Sequence, residues 1–504
     1  MHSQSAQLKR SLTLRGAVTL NLLDMIGVGP FLTLPLLVAA MGGAQAMLGW
    51  ICGGLLALCD GVVWAELGAA MPEAGGTYRF LRVLYPGAWG RWLSFLFVFQ
   101  LCLSAPLSVA SGAIGLGSYA SALWPSLAAG GMGHTVHVAG MSFGVELHPM
   151  TGVALAAVVF AVFLLYRRMR GIVRLSSLML ALVLLTLAAT YGTALLRGHA
   201  ANIFAGASLR LGPGFLTGLS TAMLVATYDY WGYYNITFLG GEARDAQRTV
   251  PRAILLSIAL VAVLYLLLNA SVLSVLPARV VAGQSGDEAR RALLSLFMRV
   301  AWTPTLGAGM ASLLGRAASL MVMVTAFASI FALLLGYSRI PFAAAREGGF
   351  LRVFGRLDER RGVPTISLTT LGGVACLACF FSLGDVIASL VVLRICLQFL
   401  LQHVGLMFWR RREPNAPRPF RVWLYPLPPL VAIAGFVFVA AMRPHAGRQL
   451  ALSMAVAVLG SVLWWIFQWH ASSGDTVEHG SCATQAAVSA SNQRRDTLTE
   501  GERR

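Results

Sequence analysis

The sequence predicts an all-α polytopic membrane protein, and three observations carry the prediction. Hydrophobic residues make up 57% of the 504 and charged residues only 12%, whereas soluble proteins run at about 45–50% and about 25%. The mean hydropathy is +0.72. The apolar residues also fall in about a dozen long runs, and a run of roughly 18 or more crosses a bilayer. Length alone allows roughly three soluble domains, but too few charges remain to clothe three surfaces.

We read twelve helical spans in order. Span 1, residues 17–41, carries Gly27, Gly29 and Pro30 at mid-depth. Span 2, 45–70, holds Asp60 deep and Glu66 nearer one end. Spans 3, 4 and 5 cover 92–122, 150–167 and 174–196. Span 6, 213–239, holds Asp229, Gly232 and Asn235 at a depth similar to the glycines of span 1. Span 7 is 251–276. Span 8, 305–345, is too long for one straight crossing and is expected to end in a cytoplasmic helical extension. Spans 9 to 12 are 364–383, 385–409, 424–442 and 449–470. Residues 1–15 are polar, and the first apolar run continues into a full span, so no cleavable signal peptide is expected. Segment 287–300 is amphipathic and reads as a short helix lying at the outer interface. The tail, 471–504, is polar and reads as disordered.

The net charge of +18 suggests nucleic acid at first sight, but its placement argues otherwise. Lys9 is the one lysine, and the arginines cluster between spans. Of the 38 basic residues, 28 fall on the side of the N-terminus, the even-to-odd loops and the tail, and 8 on the other; Arg316 and Arg394 lie within spans. Such an excess marks the cytoplasmic side. Both termini are therefore expected in the cytoplasm of a cell-membrane protein, with no polyanionic partner.

Six of the seven cysteines sit in apolar runs, where thiols pack as small hydrophobes. Cys376 and Cys379 have metal or redox spacing but no second pair. His134, His137 and His148 lie in the 3–4 loop and read as solvated. No Gly-rich phosphate loop, HExxH or GxSxG motif occurs, so neither an enzyme nor ATP-driven transport is expected, and no cofactor or metal is implied.

The chemistry lies in the two interrupted spans. Two glycines and a proline within four residues of span 1 disfavour a continuous helix. Span 6 is interrupted at the matching position of the second half. Unwound backbone in lipid costs several kcal/mol for each unsatisfied group, so such breaks persist where protein, water or ligand satisfies them. A half-helix starting after a break offers N–H groups to an anion, and one ending before it offers carbonyls to a cation. A pair of such breaks at matched positions is a pointer to a transport site. The bland alternative is a pair of glycine kinks without a ligand.

Five stretches carry a resemblance to a known family. They are Gly27-Val28-Gly29-Pro30-Phe31; Glu66-Leu67-Gly68 through Met71-Pro72-Glu73-Ala74-Gly75-Gly76-Thr77-Tyr78; Gly241-Glu242-Ala243-Arg244-Asp245 through Thr249-Val250-Pro251-Arg252; Ser338-Arg339-Ile340-Pro341-Phe342 through Glu347-Gly348; and Arg418-Pro419-Phe420-Arg421 before Tyr425-Pro426. In this order they resemble the amino acid–polyamine–organocation superfamily, closest to its L-type amino acid and plant-type polyamine branches. The resemblance implies a LeuT-type fold with two inverted five-helix repeats. Residues 16–197 would form the first, 212–410 the second and 422–470 two appended helices. It also implies secondary transport of amino acids or polyamines. The chain departs from the family at Pro30, where many members have Ile and a backbone donor, at Trp231, where a small residue is usual, and at Tyr233, where Trp follows the glycine. The span-5 lysine of some proton-coupled relatives is absent.

The substrate-binding candidates are Gly27, Val28, Gly29, Pro30, Tyr228, Asp229, Tyr230, Trp231 and Gly232. The coupling or gating candidates are Asp24, Asp60, Tyr228 and Asp229. Ionisable groups within spans are expensive and point to function, although a carboxylate holding unwound backbone is the plain alternative for Asp229. Tyr228 matches the family's aromatic lid. Glu66 belongs to a motif that packs a cytoplasmic gate. Arg316 and Arg394 need partners, and Gln398, Gln402 and His403 follow Arg394 by one or two turns. The leading reading is an amino-acid permease working by alternating access, by exchange or with H+ or Na+ coupling. The alternatives are a polyamine carrier, favoured by Asp24, Asp60, Asp229 and Pro30, and a non-transporting amino-acid sensor, whose support is the tail.

Overall fold

The computed structural model describes residues 10–43, 45–127, 129, 131–138, 141–204, 212, 214–284, 293–358, 360–382, 391–443 and 446–468. The fold is predominantly helical. Span 1 is divided into α1 (Leu14–Met25) and α2 (Gly29–Met41), bent by 48°. Then come α3 (Ala46–Ala70), a short α4 (Thr77–Leu84) and α5 (Gly87–Leu123). The first half ends with α6 (Pro149–Leu165), α7 (Met169–Arg197) and α8 (Ala200–Phe204).

The second half opens with another divided span, α9 (Phe215–Tyr230) and the single turn α10 (Asn235–Phe238). It continues with α11 (Ala246–Val275), α12 (Ala278–Gly283), α13 (Leu293–Tyr337) and α14 (Arg339–Arg346). The last helices are α15 (Thr365–Ala378), α16 (Val391–Arg412), α17 (Leu427–Ala441) and α18 (Ala446–Gln468). Among the described residues seven helices are long and apolar enough to cross a membrane, or eight with the bent pair counted as one. The protein is thus a multi-pass membrane protein.

The core is built around the two divided spans. Helix α1 packs on α7, α11 and α13; α3 packs on α9 and α11; and α5 lies against α6 and α13. The amphipathic segment expected as a short interface helix is described in part. Its described part, from Leu293, opens α13 and is separated from the rest by Gly307 at φ 74°. Leu293, Leu294, Phe297 and Met298 are buried, and Trp302 donates to Thr193 of α7 at 3.2 Å. Protein covers these four apolar side chains. The extension expected after span 8 is α14, which is buried from Arg339 to Ala345.

The fold is not wholly helical. The 3–4 loop forms an antiparallel hairpin, β1 (Met132–Val138) and β2 (Met141–Leu147), and β2 also pairs with β3 (Phe381–Ser382). Thr135, Val136 and Val138 in β1 and the apolar alternation Met141, Phe143, Val145, Leu147 in β2 favour strands, a signal easily lost beside so many apolar helices. His134 and His137 lie on β1, and His148 caps α6. The tail and residues 287–292 lie outside the described residues.

Candidate functional site

The two breaks meet. Helix α1 ends at Met25 and α2 begins at Gly29, leaving Ile26–Val28 unwound. Helix α9 ends at Tyr230, and Gly232 takes φ 126°, a conformation open to glycine but not to other residues. A Cβ on Gly232 would lie 2.8 Å from the Met25 nitrogen. A Cβ on Gly29 would coincide with the Asp229 carboxylate, and one on Gly27 would lie 2.9 Å from Ser329 Oγ. The three glycines are thus explained by how closely the segments approach.

Side chains satisfy much of the unwound backbone. Asn21 of α1 donates to the Tyr233 carbonyl at 2.7 Å and accepts from the Ile236 N–H at 3.0 Å. The Tyr265 hydroxyl of α11 reaches the Met25 carbonyl at 2.6 Å and the Asp229 carbonyl at 3.2 Å. Asn235 donates to the Ala332 carbonyl of α13 at 3.2 Å. Such partners offset the cost that otherwise forbids irregular backbone at membrane depth. Asn21 and Tyr265 are missing from the residues singled out by sequence, although a lone Asn in an apolar run is a signal that could have found Asn21.

Between the breaks lies a cavity of about 100 Å³. It is lined by Asp24, Gly27, Val28, Gly29, Tyr228, Asp229, Trp231 and Gly232 from spans 1 and 6. Small residues of α5 (Ser108, Ser111, Gly112), Ser329 and Tyr337 of α13, and Arg394 of α16 also line it. Two substrate-binding candidates do not line it. Pro30 is buried one residue beyond the lining. Tyr230 follows Asp229 by about 100° of helical turn and points instead into α3, where its hydroxyl donates to the Trp50 carbonyl at 3.3 Å. Asp60 is also outside the cavity, hydrogen-bonded to Tyr233 and 3.2 Å from His403.

Asp229 accepts a hydrogen bond from Thr33 Oγ1 at 2.5 Å and lies along the first turn of α2. Arg394 is 3% exposed and immediately precedes a π-helical stretch, Ile395–Leu400, a local rewinding frequent at functional sites. Its Nε donates to Gln398 at 2.9 Å, and one Nη to the Tyr234 and Tyr337 hydroxyls at 2.8 and 2.6 Å. These acceptors are neutral, and no carboxylate lies within 4 Å among the described residues. The guanidinium stands 5.1 Å from the Trp231 ring, which stacks on Phe399. Trp231 therefore packs to hold Arg394 rather than filling the cavity outright. Arg316, the other intramembrane cation, is exposed on α13 and does not enter this network.

The cavity walls differ in thickness at its two ends. Tyr228 is 37% exposed, while Tyr233, Tyr234 and Phe238 are at most 1% exposed. Below those rings the motif residues lock together. Glu66, fully buried, accepts from Arg410 and from the Val422 N–H at 2.7 Å, and Arg418 is 3.8 Å away. Glu242 pairs with Arg339 at 3.1 Å, both buried. Glu347 meets Arg79 and Arg82 at 2.6 and 3.2 Å. Among the described residues no group of three or more His, Cys, Asp or Glu could hold a metal.

Comparison with known proteins bears on this arrangement. Residues 12–467 match the family model described as amino acid permease. The serine/threonine exchanger SteT of Bacillus subtilis is 24% identical, over 87% of this chain and 92% of its own. The human cystine/glutamate transporter is 23% identical, over 92% and 86%. An uncharacterized transporter of Mycobacterium tuberculosis is 31% identical, over 73% of each chain. The match spans both breaks and every locked motif, so the chain belongs to the amino acid permease family of the amino acid–polyamine–organocation superfamily and is a transporter, not an enzyme.

Proposed function

We propose that the protein is a secondary active transporter that moves an amino acid across the cell membrane by alternating access. In this reading twelve spans form two inverted repeats, 16–197 and 212–410, with 422–470 appended and both termini cytoplasmic. The observation that carries it is the cavity at the meeting of the two breaks, lined by Asp24 and Asp229 together with Arg394. Two carboxylates and one guanidinium complement the ammonium and carboxylate of a zwitterion. Gly27, Val28, Gly29 and Gly232 bring backbone to the substrate, Tyr228 gates it, and Trp231 positions Arg394. The ion-pair layer below Tyr234 closes the arginine-rich, cytoplasmic end, so access is from the opposite side. The names of the relatives, a serine/threonine exchanger and a cystine/glutamate transporter, agree with an amino-acid substrate.

A polyamine carrier is the second reading, favoured by the two carboxylates and opposed by Arg394, which repels a polycation. One panel decides. Radiolabelled amino acids and polyamines are offered to proteoliposomes with and without a pH gradient. Saturable uptake of amino acids alone supports the proposal; uptake of polyamines alone refutes it.

A further inference from the structure

Beside the cavity, and outside it, three polar side chains from three spans meet in the core. Asp60 of α3, Tyr233 of the span-6 break and His403 of α16 are each 0% exposed. The Tyr233 hydroxyl donates to Asp60 Oδ2. His403 Nδ1 lies 2.7 Å from the Phe399 carbonyl oxygen, and its Nε2 lies 3.2 Å from Asp60 Oδ1. A carbonyl oxygen only accepts, so Nδ1 carries a hydrogen. A neutral imidazole then has none on Nε2, and an ionised carboxylate has none on Oδ1. Two lone pairs facing each other at 3.2 Å, too close for a water between them, repel, and leaving both groups unpaired in the core costs several kcal/mol. One hydrogen placed between Nε2 and Oδ1 removes the conflict.

We propose that Asp60 and His403 hold one proton between them and that this pair is the coupling-proton site of the transporter. The inference rests on the transport reading above and adds to it the identity of the ion and the residues that carry it. In the loaded form the proton bridges Oδ1 and Nε2; in the released form Asp60 is a carboxylate, His403 is neutral, and the proton has left to water. No other bond is made or broken. Tyr233 links the pair to the cavity, because it directly follows Gly232, which lines the cavity. Movement of the break draws the hydroxyl away from Oδ2 and withdraws a hydrogen bond that favours the carboxylate.

The groups facing the pair come from five elements. Helix α3 supplies Cys59 and the Trp64 indole, the break supplies Tyr234 beside Tyr233, and α16 supplies Arg394, Gln398 and Gln402. Helix α17 supplies the Phe436 ring, 6.1 Å from the imidazole. Helix α11, packed on α3, places Ile254 and Ile258 nearby. Arg394 is the cation of this set, and no arginine lies within 4 Å of Asp60 among the described residues. The proton, rather than a fixed cation, therefore neutralises Asp60.

The test uses the full chain in liposomes that enclose a pH-sensitive dye. The probes are the labelled amino acids that the wild type takes up from a panel of all twenty. Wild-type uptake is expected to acidify the lumen. Asp60→Asn preserves the contacts, since its amide N–H donates to Nε2 and its oxygen accepts from Tyr233, but it has no proton to release. The ratio of protons to amino acid moved should fall at least tenfold. His403→Gln should shift the external pH of half-maximal uptake by one unit or more, and it is read alone if Asp60→Asn is not recovered as monodisperse protein. Uptake without acidification in the wild type overturns the inference, as does an unchanged ratio in Asp60→Asn or an unmoved pH midpoint in His403→Gln. A wild type that carries no amino acid overturns the transport reading itself, and this inference with it.

Discussion

Gly29→Ala places one methyl group where the structure has none to spare. A Cβ there coincides with the Asp229 carboxylate and lies 3.1 Å from its Cγ. Either Asp229 turns away and loses Thr33, or the two breaks move apart. Losing a hydrogen bond to a charged group costs roughly 1.5–3 kcal/mol. Helix propensity works the other way, because Ala exceeds Gly by up to about 1 kcal/mol. The net loss of roughly 0.5–2 kcal/mol corresponds to about 2–30-fold weaker binding. Gly192 of α7 has open space around its Cβ position, so Gly192→Ala should leave binding unchanged. Binding of a labelled amino acid to purified protein measures both. In an Asp229→Ala background the clash disappears, and Gly29→Ala should then cost almost nothing. Wild-type binding by Gly29→Ala alone would refute the close approach on which the site is built.

Asp229→Asn tests the substrate class: the amide oxygen still accepts from Thr33, so amino-acid affinity should change less than threefold, whereas a tenfold loss in a binding assay would favour a polycation. Glu66→Gln should strip the partly exposed Arg410 of its buried counter-charge, a loss below the roughly 3–5 kcal/mol of a fully buried pair, read as a lower unfolding temperature in detergent. Topology follows from labelling with an impermeant thiol reagent in a background lacking Cys482. Exposed Ser126→Cys, after α5, should react from outside, and exposed Arg352→Cys, after α14, only once the inner face is opened.

What the sequence made legible was whatever lies along the chain. Gly27, Gly29 and Pro30, then Gly232, announced the breaks because helix-breaking residues act locally, whatever surrounds them. Asp24 and Asp229 stood out because a charge in an apolar run has no local excuse. The rest of the site is assembled from a distance. Ser108, Ser111, Gly112 and Ser329 are ordinary small residues of membrane helices, and proximity alone gives them a place in the wall. Arg394 was visible as an intramembrane cation, but its sequence neighbours favoured a packing role. Its place beside Tyr337 became apparent once α13 and α16 were brought together. Tyr230 and Pro30 show the converse, since adjacency to a functional residue says nothing about direction: on a helix the next side chain points about 100° away.

Asn21 clasps the second break from within the first discontinuous span, using its amide hydrogen on Tyr233 and its oxygen on Ile236. With the Gly232 backbone seated against Met25, the two discontinuous spans behave as a single lever. They cannot part without abandoning both bonds and exposing bare peptide groups to hydrocarbon. Whatever rearrangement carries the cargo must therefore tilt this lever as one piece, sliding it past α3, α11 and α13. Residues on those three sliding surfaces, not those at the breaks, then set the speed of the cycle.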